Sequence, residues 1–307
     1  MTIETKAAAT GEWGTTHKPV VAAVDGSERN RAAVNWAAHE AAALGRELTL
    51  VTAVPDYLVP TPHFSVHTQD QEVLDMLTRV RDEVVDILPE ESVHLEAVAG
   101  NAVDVLLSKA DSAGLIVVGK RGLGGFTRMI VGSTSIALAG RSPVPVAIVP
   151  DSWDPAERVG RPVVLGIDLA KPDEEPIEAA FKRAERLGVI LVAVHGWETP
   201  AVYSWDAATI AGAVTELDED ESTRFDEVLA FWRERHPDVT VRAMRLHKHP
   251  AAAVLEAAQE AQVVVLGRHP AGIFGGFAFG SVARAVLHYA ECPVVVVPSG
   301  EKDQHGG

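Results

Sequence analysis

Apolar residues recur along this chain with two spacings, and the spacings alternate. Continuous runs at Val20–Val24 and Leu115–Gly119 predict strands buried on both faces. Between and after them the period lengthens to that of a helix. Ala33, Trp36, Ala37, Ala41 and Leu44 fall on one face of a helix predicted over Asn30–Leu44. Ser27 is placed to cap it and Gly45 to end it. Leu48–Val54 is a second predicted strand. Residues 55–71 hold three prolines and predict an irregular loop. Val73, Leu77, Val80, Val84 and Ile87 predict a helix over Glu72–Leu88. Val93–Val98 alternates like a strand near a sheet edge. Helices are then predicted over Asn101–Ser112 and Gly132–Arg141, and a last strand over Val144–Val149. Strands alternating with helices imply a parallel sheet with right-handed crossovers and helices on both faces.

The pattern occurs twice. LIVVGKRGLGGFTRMIVGSTSIALAGRSPVPVAIVP from Leu115 aligns without a gap on VVVLGRHPAGIFGGFAFGSVARAVLHYAECPVVVVP from Val263. Gly119 falls on Gly267, Gly132 on Gly280, Ser133 on Ser281 and Pro145 on Pro293. The openings PVVAAVDGS and PVVLGIDLA also match, which puts Asp25 on Asp168. The reading is two tandem doubly wound α/β domains, 18–150 and 161–299, with a linker between them. The apolar last strands, Val144–Val149 and Val294–Val297, are expected at sheet edges, where an exposed apolar strand invites pairing. The simplest arrangement pairs the two copies through them as an internal pseudo-dimer.

A length of 307 residues suits two domains, and 47% hydrophobic residues suits ordinary cores. No apolar run approaches the length of a membrane span, and the first residues lack a basic start followed by an apolar stretch. The one cysteine, Cys292, excludes a disulfide within the chain. A cytoplasmic protein is expected. The net charge of −16 repels nucleic acid and anionic membranes, so neither is an expected partner. An anionic ligand must then be held by local donors.

Such donors cluster after the fourth strand of the first copy. Gly119-Lys120-Arg121-Gly122-Leu-Gly124-Gly125 leads to Gly132-Ser133-Thr134 at a helix start. Glycines there allow positive φ and close backbone approach. Successive backbone N–H groups and a helix N-terminus favour an anion. Lys120 and Arg121 add charge, and Ser133 and Thr134 add hydroxyls. Asp25, followed by Gly26 and Ser27, sits at the end of the first strand, where ligands of such sheets bind. These residues suit a phosphate chain.

Gly119-x-x-Gly122, nine residues, then Gly132-Ser133, together with Asp25-Gly26-Ser27 and the strand Leu115–Gly119, resembles the ATP-binding signature of the universal stress protein family. The resemblance covers both halves. It implies a flavodoxin-like, HUP-type five-stranded sheet in each domain, with ATP across the strand ends. Asp25 and Val54 would face adenine and ribose, and Gly119, Gly122, Gly132, Ser133 and Thr134 the phosphates; magnesium can accompany them. The resemblance also supports the internal pseudo-dimer. A homodimer of the whole chain and an unidentified protein partner are expected beyond it.

The second copy departs from this pattern. Pro270 stands where the first copy has Gly122, and it brings no N–H and no positive φ. Asp168-Leu169-Ala170 replaces the Asp-Gly-Ser turn, and the following helix is expected about two residues late. Gly267, Arg268, Gly280 and Ser281 keep their places. ATP binding in the second copy is expected to be weaker or absent. No base for water attack on ATP is marked, so a regulator is expected rather than an enzyme; a slow ATPase or phosphotransferase and a nucleotide-free scaffold are the alternatives. His247 and His249 read as surface histidines, Cys292 as core, and Leu217–Glu221 as a solvated turn before a helix.

Overall fold

A computed structural model of the chain describes residues 17–54, 67–122, 131–198, 207–268 and 280–299. The first half runs β1 (Val20–Ala23), α1 (Arg31–Leu44), β2 (Leu48–Val54), α2 (His67–Asp82), β3 (Val93–Ala99), α3 (Ala102–Ser108), β4 (Leu115–Gly119), α4 (Ser133–Arg141) and β5 (Val146–Val149). A short α5 (Pro155–Arg158) links the halves. The second half runs β6 (Val163–Gly166), α6 (Glu174–Leu187), β7 (Leu191–Gly196), α7 (Ala207–Arg235), β8 (Val241–Leu246), α8 (Pro250–Ala258), β9 (Val263–Arg268), α9 (Ser281–Tyr289) and β10 (Val294–Pro298).

All ten described strands form one sheet in the order β3-β2-β1-β4-β5-β10-β9-β6-β7-β8. Within each half every pairing is parallel. Where the halves meet, β5 and β10 run antiparallel, with Ala147 opposite Val295. The alignment that puts Gly119 on Gly267 also puts Ala147 on Val295, so this pair lies on a pseudo-twofold axis. The expected pairing of the two copies is therefore present, and the wide sheet leaves edges only at β3 and β8. One layer of helices covers each face, and two apolar clusters fill the spaces between, one around Trp36 and Phe181, the other around Ile116 and Val264.

The boundaries follow local chemistry, with some corrections. Gly45 takes φ 61° and closes α1, as expected of a C-terminal glycine. The helix expected over Glu72–Leu88 is displaced: α2 starts at His67 and ends at Asp82, and a turn carries Val84 and Leu88 into the core. Residues 67–71 are thus helical rather than loop; residues 55–66 lie outside the described residues. The helix expected to run to Ser112 ends at Ser108, and Asn101 caps it by accepting from the Val103 N–H. The expected delay of the second copy's first helix is absent. α1 begins at Arg31 and α6 at Glu174, equivalent positions; the first copy instead adds a 3₁₀ turn at Glu28–Asn30. Leu217–Glu221 is no turn either, because it lies within α7.

Candidate functional site

In each half the chain order reverses between the first and fourth strands. Their carboxyl ends face a crevice there, since neighbouring strands send their crossovers to opposite faces. In the first half β1 pairs directly with β4, which brings Asp25 beside the glycine loop. Gly26 takes φ 75°, a conformation that favours glycine, and turns the chain back toward α1. Asp25 Oδ1 accepts from both the Ser27 N–H (2.9 Å) and the Ser27 hydroxyl (2.7 Å). Ser27 therefore ties down Asp25 and makes no side-chain cap to the helix, contrary to expectation.

Gly122 is seated against that carboxylate. A methyl group at Gly122 would lie 2.7 Å from Asp25 Oδ2, inside van der Waals contact. A methyl at Gly119 would meet the Arg121 carbonyl at 3.0 Å. Neither glycine, nor Gly132, takes positive φ. Gly119 and Gly122 serve close approach, whereas a methyl at Gly132 would meet only ordinary contacts at 3.6 Å; the φ argument applies to Gly26 instead. The loop is pinned at both ends: Lys120 N–H donates to the Val149 carbonyl (2.7 Å) and Gly132 N–H to the Lys120 carbonyl (2.8 Å). Gly132 is the N-cap of α4, with Ser133 and Thr134 in its first turn. Ser135, which sequence reasoning passed over, donates its buried hydroxyl to the Gly119 carbonyl at 2.7 Å. It locks the start of α4 onto the end of β4; in sequence it stands third in the polar run Ser133-Thr134-Ser135, with nothing to set it apart. Val54 ends β2, on the far side of β1, where its carbonyl accepts from Gly100 N–H (2.8 Å). Gly124 lies outside the described residues.

Lys120 and Arg121 do not point their charges along this loop. Arg121 forms a two-oxygen ion pair with Asp151 (2.7 and 3.0 Å). Lys120 Nζ reaches into the second half and donates to the Ala290 carbonyl at 2.9 Å. Burial, helped by neighbouring Arg121, holds the Lys120 ammonium below the usual lysine range. Among the described residues, the donors left for an anion are the backbone N–H groups, the hydroxyls of Ser133 and Thr134, and the positive end of α4.

The second half repeats this arrangement of strand ends. Asp168, Gly267, Gly280 and Ser281 line one cavity of about 290 Å³, between the ends of β6, β7 and β9 and the starts of α8 and α9. Gly166 and Gly196 line it too, each packed so closely that a methyl would collide, Gly196 against the Pro250 backbone at 2.7 Å. Asp168 Oδ1 accepts from the Ala170 N–H (3.0 Å), as Asp25 accepts from Ser27. His195, at the end of β7, adds an imidazole to the wall; its Nδ1 lies 3.0 Å from the Ile167 carbonyl and its Nε2 3.0 Å from Glu221 Oε2. The acidic run read as a turn thus supplies partners, Glu221 for His195 and Asp218 for Arg245. Arg268 donates to the Ser142 carbonyl of the first half (2.6 Å). Pro270 lies outside the described residues.

The remaining candidates have structural settings. Cys292 is buried in the core, and burial pushes its thiol up to about 11. His249 caps α8 by accepting from the Ala251 N–H, and His247 stacks on Trp197 with ring centroids 4.2 Å apart. No described helix is long and apolar enough to cross a membrane.

Comparison with known proteins gives these crevices a family. The sequence model of the Universal stress protein family matches residues 16–150 and again 160–298. A universal stress protein of Mycolicibacterium smegmatis is 34% identical over 286 residues, an alignment that covers 91% of this chain and 96% of the relative. One from Mycobacterium tuberculosis is 32% identical over 286 residues, covering 90% and 96%. Among solved structures, a universal stress protein from Archaeoglobus fulgidus superposes with a TM-score of 0.63 at 19% identity, covering 94% of this chain and 99% of the other. That likeness concerns the fold. With two matches spanning nearly its whole length, the chain belongs to the universal stress protein family and carries the family's domain twice.

Proposed function

We propose that the chain is a cytoplasmic, nucleotide-responsive regulator of the stress response that binds ATP in its first half. The observation that carries this reading is the seat of Gly122 on the Asp25 carboxylate. It holds the first residues of the loop against the end of the first strand, beside the N-terminus of α4. In a chain of net charge −16, a triphosphate must be held by local donors, and fixed N–H dipoles and a helix end supply them. Gly119, Gly122, Gly132, Ser133 and Thr134 would lie along the phosphates. Asp25 and Val54 would lie toward the base and ribose. Magnesium, when present, would neutralise phosphate charge. The reading is of a binding module that acts through a protein partner, with whole-chain homodimerisation as its assembly.

The second half retains Asp168, Gly267, Gly280 and Ser281 around a real cavity. One feature weakens it for a triphosphate: Pro270 offers no N–H where Gly122 offers one. We therefore assign the second half the weaker ATP site.

Calorimetric titration of the Gly122→Ala variant tests the reading. The added methyl must displace either Asp25 or the loop, and ATP affinity is expected to fall at least tenfold while circular dichroism is unchanged. Affinity equal to that of the wild type would remove the loop from the site.

A further inference from the structure

Two cations that sequence reasoning gave to phosphate cross instead to the opposite half, and they do so reciprocally. Lys120 follows Gly119, and Arg268 follows Gly267; the repeat makes them equivalent. Lys120 Nζ donates to the carbonyl of Ala290, the residue that ends α9. Arg268 donates to the carbonyl of Ser142, the residue that ends α4. Ala290 and Ser142 are equivalent in turn. Both acceptors are almost wholly buried, 3% and 1% exposed. The last carbonyls of a helix have no partner within it, and a cation there also meets the negative end of the helix dipole. Each bond therefore answers a need that its own half leaves unmet.

The other ends of these helices form the two crevices. α4 starts at Gly132 and Ser133, and its Ser135 grips the Gly119 carbonyl. α9 starts at Ser281, on the wall of the second cavity. Each helix has nine residues and is about 13 Å long, short enough to move as one rod. Fixing its far end fixes the direction in which its first N–H groups point. Arg268 itself leaves from the end of β9, beside the second crevice, so one side chain joins that crevice to the far end of the helix whose start faces the first site.

We propose that Arg268 is a positioning residue for the nucleotide site of the first half, and Lys120 for that of the second, so that each site is aimed by a cation from the other. The assignment rests on the proposed ATP site. Desolvation holds both cations below their usual ranges, as expected of charges enclosed by the joint between the halves. The arrangement predicts that ligand in one half alters affinity in the other, because the same backbone carries a site glycine and the clasp.

The test uses the full chain with Arg268→Met, Arg268→Lys and, as a control, Glu40→Gln, which weakens the joint near the axis without touching either clasp. ATP affinity is measured by titration, and amide exchange over 133–141 without nucleotide. Arg268→Met is expected to weaken ATP binding about three- to tenfold and to speed exchange across α4. Arg268→Lys is expected to recover most of both. Glu40→Gln is expected to lower the melting temperature yet hold affinity within twofold. Wild-type affinity and exchange in Arg268→Met would overturn the proposal, as would an equal loss of affinity in Glu40→Gln. If the wild type binds no ATP, the nucleotide reading fails on its own. The exchange arm then still decides, since unchanged exchange in α4 would dismiss the clasp and faster exchange would uphold it.

Discussion

Charge reversal at Glu40 probes what holds the two halves together. Glu40 is the tenth residue of α1, and Arg183 is the tenth residue of α6. They are equivalent, and they meet beside the pseudo-twofold axis as an ion pair with side chains only 2% and 7% exposed. Arg186 adds a second contact to Glu40 at 2.9 Å, and the Arg183 guanidinium also lies over the Trp36 ring, 5.8 Å from its centroid. In a symmetric pair of identical domains this position would face itself, Glu against Glu or Arg against Arg. The tandem chain escapes that repulsion by carrying one of each. Glu40→Arg leaves Arg183 buried without its partner and adds a like charge. Loss of one member of a buried pair costs about 3–5 kcal/mol. Arg186, 22% exposed, can turn toward water, so the lower figure applies. At roughly 1.5–2 °C per kcal/mol for a chain of 307 residues, the melting temperature should fall by about 5 °C. In Glu40→Arg/Arg183→Glu the pair is rebuilt with its sense reversed, and Arg186 lies one helical turn from the new carboxylate. Denaturant unfolding of wild type, both single variants and the double variant closes a cycle. The double variant should recover most of the loss. A double variant no more stable than the sum of the singles would refute the reasoning, as would a Glu40→Arg loss within about 0.5 kcal/mol, the range of an ordinary surface change.

Two further outcomes follow from burial. The Cys292 thiol is pushed up to about 11 from an ordinary 9.0, so the folded chain holds this proton more tightly than the unfolded one. Its contribution is whole below about pH 9 and declines as pH rises toward 11, by on the order of 2–3 kcal/mol. Cys292→Ala should flatten that part of the stability–pH curve relative to wild type, and parallel curves would contradict the assignment. Gly196→Ala puts a methyl 2.7 Å from the Pro250 backbone and 3.0 Å from the Lys248 carbonyl. It should cost about 1–3 kcal/mol by overpacking in chemical denaturation, and a loss below that range would mean that α8 yields freely.

Much of the fold is legible because burial on both faces leaves a plain mark. β2 and β4 begin and end where their apolar runs do. The joint between the halves could be anticipated too, since two apolar edge strands need partners and each is the other's equivalent. α2 was harder. Its first turns, His67 to Gln71, are polar and show no periodicity, while Val84, Ile87 and Leu88 extend the apolar pattern beyond the helix into a turn. In the site, glycine spacing found the loop, and Asp25 found its facing strand end. The targets of the cations were not legible. Lys120 and Arg121 stand beside the glycines in sequence, but their partners, Ala290 and Asp151, are set by the packing of the halves. Glu40 and Arg183 gave no sign individually. Only the repeat, read together with the sheet order, shows that they must meet.

The central claim is that the first half holds ATP well and the second half weakly. Its most direct test is to purify the full chain without added nucleotide, release what is bound by heat, and count ATP per chain by chromatography. The account predicts about one ATP per chain, lost in Gly122→Ala. Two per chain would contradict the assignment of the weaker site to the second half, and none, with no binding on titration, would contradict the nucleotide reading itself.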